Sequence, residues 1–240
     1  HKVKGGTQLD WIGYQLDVTR FEVGINERKK AWLLNWLDDR LREGGVVGRN
    51  LRATLGRFCF VARALDQLKP FLSPIFAWSA VLHPSAFHFL PEAIGMLLLW
   101  MRAKVALMSV RHCRPLRVDS GEVFRVDAKA EGDLVVIGGW ESYNGRRPAE
   151  ARWFSIVLSK KSAPWAFSKG EPFITIAALE LLGALVAFML FKEGAEWLQG
   201  SAYFYLTGYT DNSSNSFLLD KLMTSKFPLV VVLIELAEQL

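Results

Sequence analysis

The chain has 240 residues, 51% of them hydrophobic and 22% charged, which excludes a disordered protein and is ample for a buried core. Two cysteines, Cys59 and Cys113, exclude a disulfide framework and a cysteine-based metal centre, and indicate small buried side chains in a reducing compartment. The net charge of +5 is uneven: residues 1–117 carry 18 Lys and Arg against 9 Asp and Glu, whereas residues 118–240 carry 11 against 15.

This charge distribution has two readings of nearly equal weight. A basic part beside an acidic part suits a nucleic-acid grip next to a metal-using site. Ordinary charge scatter on a globular protein explains the same numbers.

The first half of the chain predicts a short hairpin followed by helices. Asn26 is a preferred N-cap residue for the first helix, and the Gly44-Gly45 pair is expected to end it. Pro70, Pro74 and Pro84 are expected to interrupt the helical pattern. The predicted elements are strands at 11–16 and 21–23 and helices at 27–41, 50–64, 75–82 and 91–105, so that residues 25–117 are all helical.

The hydrophobic period changes near Arg117, where strands begin to alternate with long apolar helices. The order strand, strand, strand, helix, strand, helix, helix predicts a mixed α/β sheet with helices on its faces. The predicted strands are 118–130, 134–140, 152–158 and 202–209, and the predicted helices are 174–191, 215–223 and 228–240.

The sequence has two features that bear on cellular location, its start and one long apolar run. The start of the chain lacks the apolar segment of a signal peptide, so we expect an intracellular protein, in the nucleus or cytoplasm, that is not secreted. Since the first residue is not Met, we expect a fragment of a longer protein. Residues 174–191 are long enough to raise the question of a membrane span, but Glu180 within them favours a buried core helix and no membrane partner.

Three carboxylates occupy unusual settings in the second half. Asp127 lies in a predicted strand, Glu180 in the long apolar helix, and Asp211 at the end of the fourth strand. A carboxylate among apolar neighbours is costly unless something pairs it, and a shared divalent cation would pair all three. Taken singly, Asp127 has Arg125 and Lys129 as neighbours, and Asp211 has the ordinary role of a helix cap.

Other residues have simpler interpretations. His83 and His88 are separated by Pro84, which argues against a metal pair at helical spacing, so we expect surface or packing roles. Trp153 and Trp165 are expected in the core and not as platforms for base stacking. Surface pairs such as Arg146-Arg147 are usually solvated, although they are able to contact phosphates.

The motifs of the second half resemble the ribonuclease H fold. They are Val126-Asp127-Ala128, Ile137-Gly138-Gly139-Trp140, Ala178-Leu179-Glu180-Leu181-Leu182 and Thr210-Asp211-Asn212. Upstream, Trp11-Ile12-Gly13-Tyr14-Gln15-Leu16-Asp17 and Glu27-Arg28-Lys29-Lys30 resemble the segment where a reverse transcriptase palm leads into its thumb. Gly56-Arg57-Phe58-Cys59-Phe60 and Lys69-Pro70-Phe71-Leu72 resemble the helical connection of retroelement polymerases. The resemblance covers nearly the whole chain, and the subtype it indicates is a tyrosine-recombinase (DIRS-type) retrotransposon.

The resemblance implies three regions: the end of a palm hairpin at 1–24, a helical thumb and connection at 25–117, and a ribonuclease H-like domain at 118–240. It implies hydrolysis of the RNA strand of an RNA–DNA hybrid with two Mg²⁺ ions, for which Mn²⁺ would substitute. Asp127 would bridge the metals, and Glu180 and Asp211 would complete the available ligands. The implied partners are the hybrid and the remainder of a reverse transcriptase polyprotein. The implied nucleic-acid-binding residues are Arg28, Lys29, Lys30, Arg146, Arg147 and Asn212.

Two departures from the family limit this expectation. The Tyr-x-Asp-Asp polymerase motif is absent from these residues, and the fourth carboxylate of the family is expected after the last helix, where Glu235 and Glu238 do not lie. We therefore expect weak or absent cleavage by residues 1–240. The alternative is a decayed, non-enzymatic ribonuclease H-like relic that still binds nucleic acid.

Overall fold

Residues 5–107, 110–112, 122–142, 147–191, 207–209 and 213–239 are described by a computed structural model. The chain divides into two units, His1–Pro115 and Leu116–Leu240. The change in hydrophobic period near Arg117 lies two residues beyond this division.

Within the described residues, the first unit combines four α-helices with two small sheets. Strands β1, β2, β3 and β6 form one antiparallel sheet in that order, and β4 pairs with β5. In chain order the elements are β1 (Gln8–Trp11), β2 (Tyr14–Asp17), β3 (Glu22–Ile25), α1 (Glu27–Glu43), β4 (Gly45–Val47), α2 (Gly48–Ala64), α3 (Lys69–Val81), β5 (Phe87–Phe89), α4 (Glu92–Leu107) and β6 (Val110–His112).

Two predictions for this unit are wrong. Residues 11–16 are not one strand, because Ile12 and Gly13 have φ values of 50° and 86° and form the tight turn between β1 and β2. Residues 25–117 are not all helical, because β4, β5 and β6 lie among the helices. The three strands have only three residues each, too few for an alternating pattern to stand out in the sequence.

The ends of α1 follow the expected chemistry. The Asn26 side chain accepts a hydrogen bond from the Lys29 amide at 3.1 Å, and Gly44 has the left-handed conformation (φ 65°) that commonly ends helices. The start of α3 differs from the prediction, since the helix begins at Lys69 and continues through Pro74. Pro70 lies in the first turn, where the missing amide hydrogen has no helical partner to lose.

Because Asn26 satisfies an amide at the start of α1, we expect Asn26→Ala to lower the free energy of unfolding by about 1 kcal/mol. Urea denaturation followed by circular dichroism measures this. Asn26→Ser keeps a capping oxygen and serves as the matched control. Equal losses for both variants would show that the cap does not contribute.

The second unit has the predicted order of elements. Its four-stranded sheet has the order β10-β7-β8-β9, in which β7, β8 and β9 are antiparallel neighbours and β10 runs parallel to β7. The elements are β7 (Glu122–Glu131), β8 (Leu134–Glu141), β9 (Trp153–Leu158), α5 (Ile176–Phe191), β10 (Thr207–Tyr209), α6 (Ser213–Lys221) and α7 (Leu229–Gln239). Residues 118–121 and 202–206 of the predicted strands lie outside the described residues.

Helix α5 packs on both sides. Leu179 and Ala187 belong to apolar clusters with the sheet, and Leu181 and Leu185 pack with Leu233 of α7. The run Pro172–Phe191 is long and apolar enough to cross a membrane by length and composition alone. Its packing against a sheet and a helix accounts for that composition without a bilayer.

Of the two cysteines, Cys59 lies among the described residues. Cys59 is half-buried in α2, and burial raises the pKa of its thiol, so the thiol is less reactive than a free cysteine. Cys113 lies outside the described residues.

Candidate functional site

Asp127 lies in the middle of β7, on the face of the sheet opposite α5. Phe124 and Val126 are buried in a cluster with Ala187 and Phe191 of α5, and the register of β7 with β8 is regular on both sides of Asp127. Side chains alternate along a strand, so Asp127 points to the other face, where it is exposed. Its carboxylate accepts a hydrogen bond from the Ala128 amide at 2.8 Å.

Glu180 is buried in the second turn of α5, with 8% of its surface exposed. The Asn215 amide nitrogen of α6 lies 3.5 Å from the Glu180 carboxylate and donates to the Ala177 carbonyl at 3.0 Å. This amide holds the start of α6 against α5 and gives the buried carboxylate a polar neighbour. An apolar helix that retains such a residue carries a cost in stability, which is typical of functional sites.

Asp211 and Asn212 lie outside the described residues, but the elements that flank them are described. Before them, β10 pairs with β7 as far as Tyr209, which is opposite Arg125. After them, α6 begins at Ser213. The two elements that border Asp211 in sequence therefore contact the strand that carries Asp127 and, through Asn215, the helix that carries Glu180.

The predicted meeting of the three carboxylates stays a prediction. No described contact joins Asp127 to Glu180, and the α5-covered face does not hold both. The described pairing of β10 with β7 ends at Arg125, two residues before Asp127. Within the described ranges, no group of three His, Cys, Asp or Glu side chains is arranged to hold a metal.

A second feature is a groove of about 910 Å³ in the first unit. It lies between the β1–β2 turn, α1 and α2, and its lining includes Arg28, Lys29, Trp32, Arg57 and Phe60. The lining includes both cationic and aromatic side chains among apolar ones, and the first two suit sugar–phosphate chains and bases.

The groove wall is held together by ring contacts. The Arg57 guanidinium lies 4.3 Å from the Trp32 ring centre, and the Lys29 ammonium lies 3.6 Å from that of Phe60. Tyr14 stacks on Phe60 at 4.2 Å, and burial raises the pKa of its phenol. These contacts hold the two cations against aromatic rings that also line the groove.

The remaining predicted residues have mixed outcomes. Arg28 and Lys29 line the groove, Lys30 is half-buried outside its lining, and Arg147 is exposed. Arg146 lies outside the described residues. The sequence did not single out Trp32 with Arg57, because two residues on different helices have no spacing signal that pairs them.

Two predictions about aromatic and histidine side chains are resolved. Trp165 packs on the sheet cluster as expected, but Trp153 is 74% exposed and is not a core residue. His83 is exposed and His88 half-buried, in agreement with the expected surface or packing roles, and the His88 ring nitrogen lies 3.0 Å from the His83 backbone oxygen.

Comparison with known proteins finds solved structures that match the chain at low TM-scores. No family model and no curated protein matches the chain. One solved structure, a foamy viral protease–reverse transcriptase (dRH) in complex with double-stranded DNA, matches with a TM-score of 0.32 and 14% identity over 97% of this chain and 36% of that one. Another, the foamy viral protease–reverse transcriptase in complex with double-stranded DNA, matches with a TM-score of 0.33 and 13% identity over 87% of this chain and 45% of that one. The chain thus spans less than half of either neighbour, and at these scores neither match establishes a common fold.

Proposed function

We propose that this chain is the thumb, connection and ribonuclease H region of a retroelement reverse transcriptase, acting on the RNA strand of RNA–DNA hybrids. The observation that carries the proposal is the setting of Glu180. This buried carboxylate lies on the helix that connects an antiparallel three-stranded sheet to a fourth, parallel strand, and Asp127 lies on the strand beside it. The order of these elements agrees with the order of the ribonuclease H-like motifs, and the meeting of the carboxylates is part of the proposal.

The donor chemistry of these residues fits magnesium. Carboxylate oxygens are the ligands that Mg²⁺ prefers, and Asp127, Glu180 and Asp211 would hold the ions, with Mn²⁺ as a substitute. When bound, the ions supply an activated water and stabilisation of the leaving oxygen. The chain's own contribution is the Asn215 contact, which orients the Glu180 carboxylate from α6.

The groove of the first unit supports the second half of the proposal, which is hybrid binding. Arg28, Lys29 and Arg57 carry positive charge along one wall, within a segment that is basic overall. Phosphate contacts of this type supply most of the affinity for nucleic acid without reading its sequence. The proposed partners are the hybrid and the remainder of the polyprotein, inside the cell.

The test is a gel assay of labelled RNA in an RNA–DNA hybrid, with Mg²⁺ or Mn²⁺. We expect salt-sensitive binding with weak metal-dependent cleavage. Binding without any cleavage would favour the alternative, a non-enzymatic relic. Absence of hybrid binding would contradict both.

Because Arg28 lies on the groove wall, we expect Arg28→Ala to weaken hybrid binding at every sequence tested. The slope of log affinity against log salt should fall by about one. Fluorescence anisotropy at a series of salt concentrations measures this. Arg42→Ala is the control, since Arg42 is exposed on α1 outside the groove lining and pairs with Asp39. Equal changes in slope for the two variants would remove the groove from the proposal.

A further inference from the structure

The face of the sheet opposite α5 carries an exposed row of one cation and two tryptophans. The strand register places Arg125 of β7 opposite Trp140 of β8, and Trp140 opposite Trp153 of β9. The two tryptophans are 46% and 74% exposed. Indole rings are among the most costly side chains to leave in water, so two neighbours on one face require an explanation.

The next row along the same face is formed by small or short side chains. It consists of Asp127, Gly138 and Ser155, which are paired across the three strands. Residues two apart on a strand are separated by about 7 Å, so a flat ring resting on an indole would meet no bulky neighbour on this side. This row of short side chains separates the two tryptophans from the next apolar residues on the face, Val136 and Val157. A long apolar helix would need a continuous apolar surface, so it is disfavoured as the ligand of this face.

Two arginines lie at the tryptophan end of the sheet. At the tryptophan end, Arg125 lies in the row itself, and the exposed Arg147 lies in the loop that joins β8 to β9. Cations beside exposed indoles match a ligand with flat rings and a phosphate backbone.

We propose that the row of Arg125, Trp140 and Trp153 binds single-stranded nucleic acid by base stacking. The indoles accept any base, because every base presents a flat face, and Arg125 and Arg147 contact the phosphates. This inference goes beyond the proposed hydrolysis and needs no metal. The row adjoins Asp127 on the same face, so a strand held here passes the carboxylate assigned to the proposed reaction.

The test uses the 240-residue chain and two fluorescein-labelled oligonucleotides of about twelve residues, oligo(dT) and an abasic chain with the same phosphates. We expect Trp153→Ala to weaken oligo(dT) binding about tenfold, and to change abasic binding by less than about twofold. Val157→Ala, on the same strand and face but at the far end, is the matched control and should leave both affinities unchanged.

A second measurement does not depend on the folding of a variant. In the unsubstituted chain, 5-iododeoxyuridine in the oligonucleotide should crosslink under light to Trp140 or Trp153, as mapped by mass spectrometry. Crosslinks confined to residues 1–115, or equal losses with oligo(dT) and abasic chains, would overturn the proposal. Unchanged binding together with loss of self-association in Trp153→Ala would show instead that this face is a protein contact.

Discussion

Glu180→Gln is expected to reduce metal-dependent cleavage of the RNA strand by about a hundredfold or more, because removing a metal ligand forfeits several kcal/mol of transition-state stabilisation. Glutamine keeps the volume of the buried side chain and an oxygen that accepts from Asn215. Hybrid affinity should therefore change by less than about twofold, since phosphate contacts and not Glu180 supply it. Single-turnover assays with Mn²⁺ and excess protein measure cleavage, and fluorescence anisotropy measures hybrid affinity.

Glu171→Gln is the matched control for Glu180→Gln. Glu171 is an exposed acid shortly before α5, and its substitution changes the net charge by the same amount. Cleavage that survives Glu180→Gln would show that the site is misassigned. Robust cleavage by residues 1–240 alone would show instead that a fourth carboxylate is not needed.

Gly183→Leu is expected to destabilise the second unit by about 3 kcal/mol, because α5 lies too close to the sheet for a side chain at this position. A Cβ atom there would lie 3.0 Å from Ile137 Cγ2 and 3.5 Å from Val126 Cβ. A leucine would push α5 off β7 and β8 and so displace Glu180 as well. Hydrogen exchange of β7 and β8 amides, followed by mass spectrometry, measures the loss within this unit.

Met189→Leu serves as the control for the Gly183 substitution. Met189 is exposed on the same helix, and leucine has nearly the same volume as methionine. The substitution should therefore lower the free energy of unfolding by less than about 1 kcal/mol. If Gly183→Leu left the exchange of β7 and β8 unchanged, the close packing of α5 against Ile137 would be contradicted.

Elements with strong periodicity were predictable from the sequence. The long apolar helix and the strands β8 and β9 have clear patterns. The structure places β8 and β9 within one residue of their predicted ends, and α5 begins two residues after its predicted start. Short elements were not predictable, because three-residue strands such as β4 and β5 carry no period. The turn at Ile12 was missed since only Gly13 is a typical turn residue there, and Ile12 adopts positive φ through the hairpin geometry.

The candidate site was predictable only as residue types. The sequence singled out Glu180, because an acid among apolar residues is unusual, and proposed a shared cation as its partner, but it did not point to Asn215. Asn215 became its neighbour through the packing of α6 on α5, which depends on contacts between residues 35 positions apart. Trp153 was misplaced because an aromatic residue in an apolar strand has the same pattern whether its face is covered or open.

The parallel pairing of β10 with β7 also has a consequence for the order of folding. The hairpins of β7, β8 and β9 connect neighbouring segments, whereas Gly208 must find Phe124 after the whole crossover has formed. A long-range pairing of this kind loses loop-closure entropy before its contacts form. We therefore expect β10 to be the last of the four strands to join the sheet during synthesis. Until then the edge of β7 has backbone amides that are able to pair with other chains. During this interval of synthesis, chaperone binding or aggregation would compete with completion of the sheet.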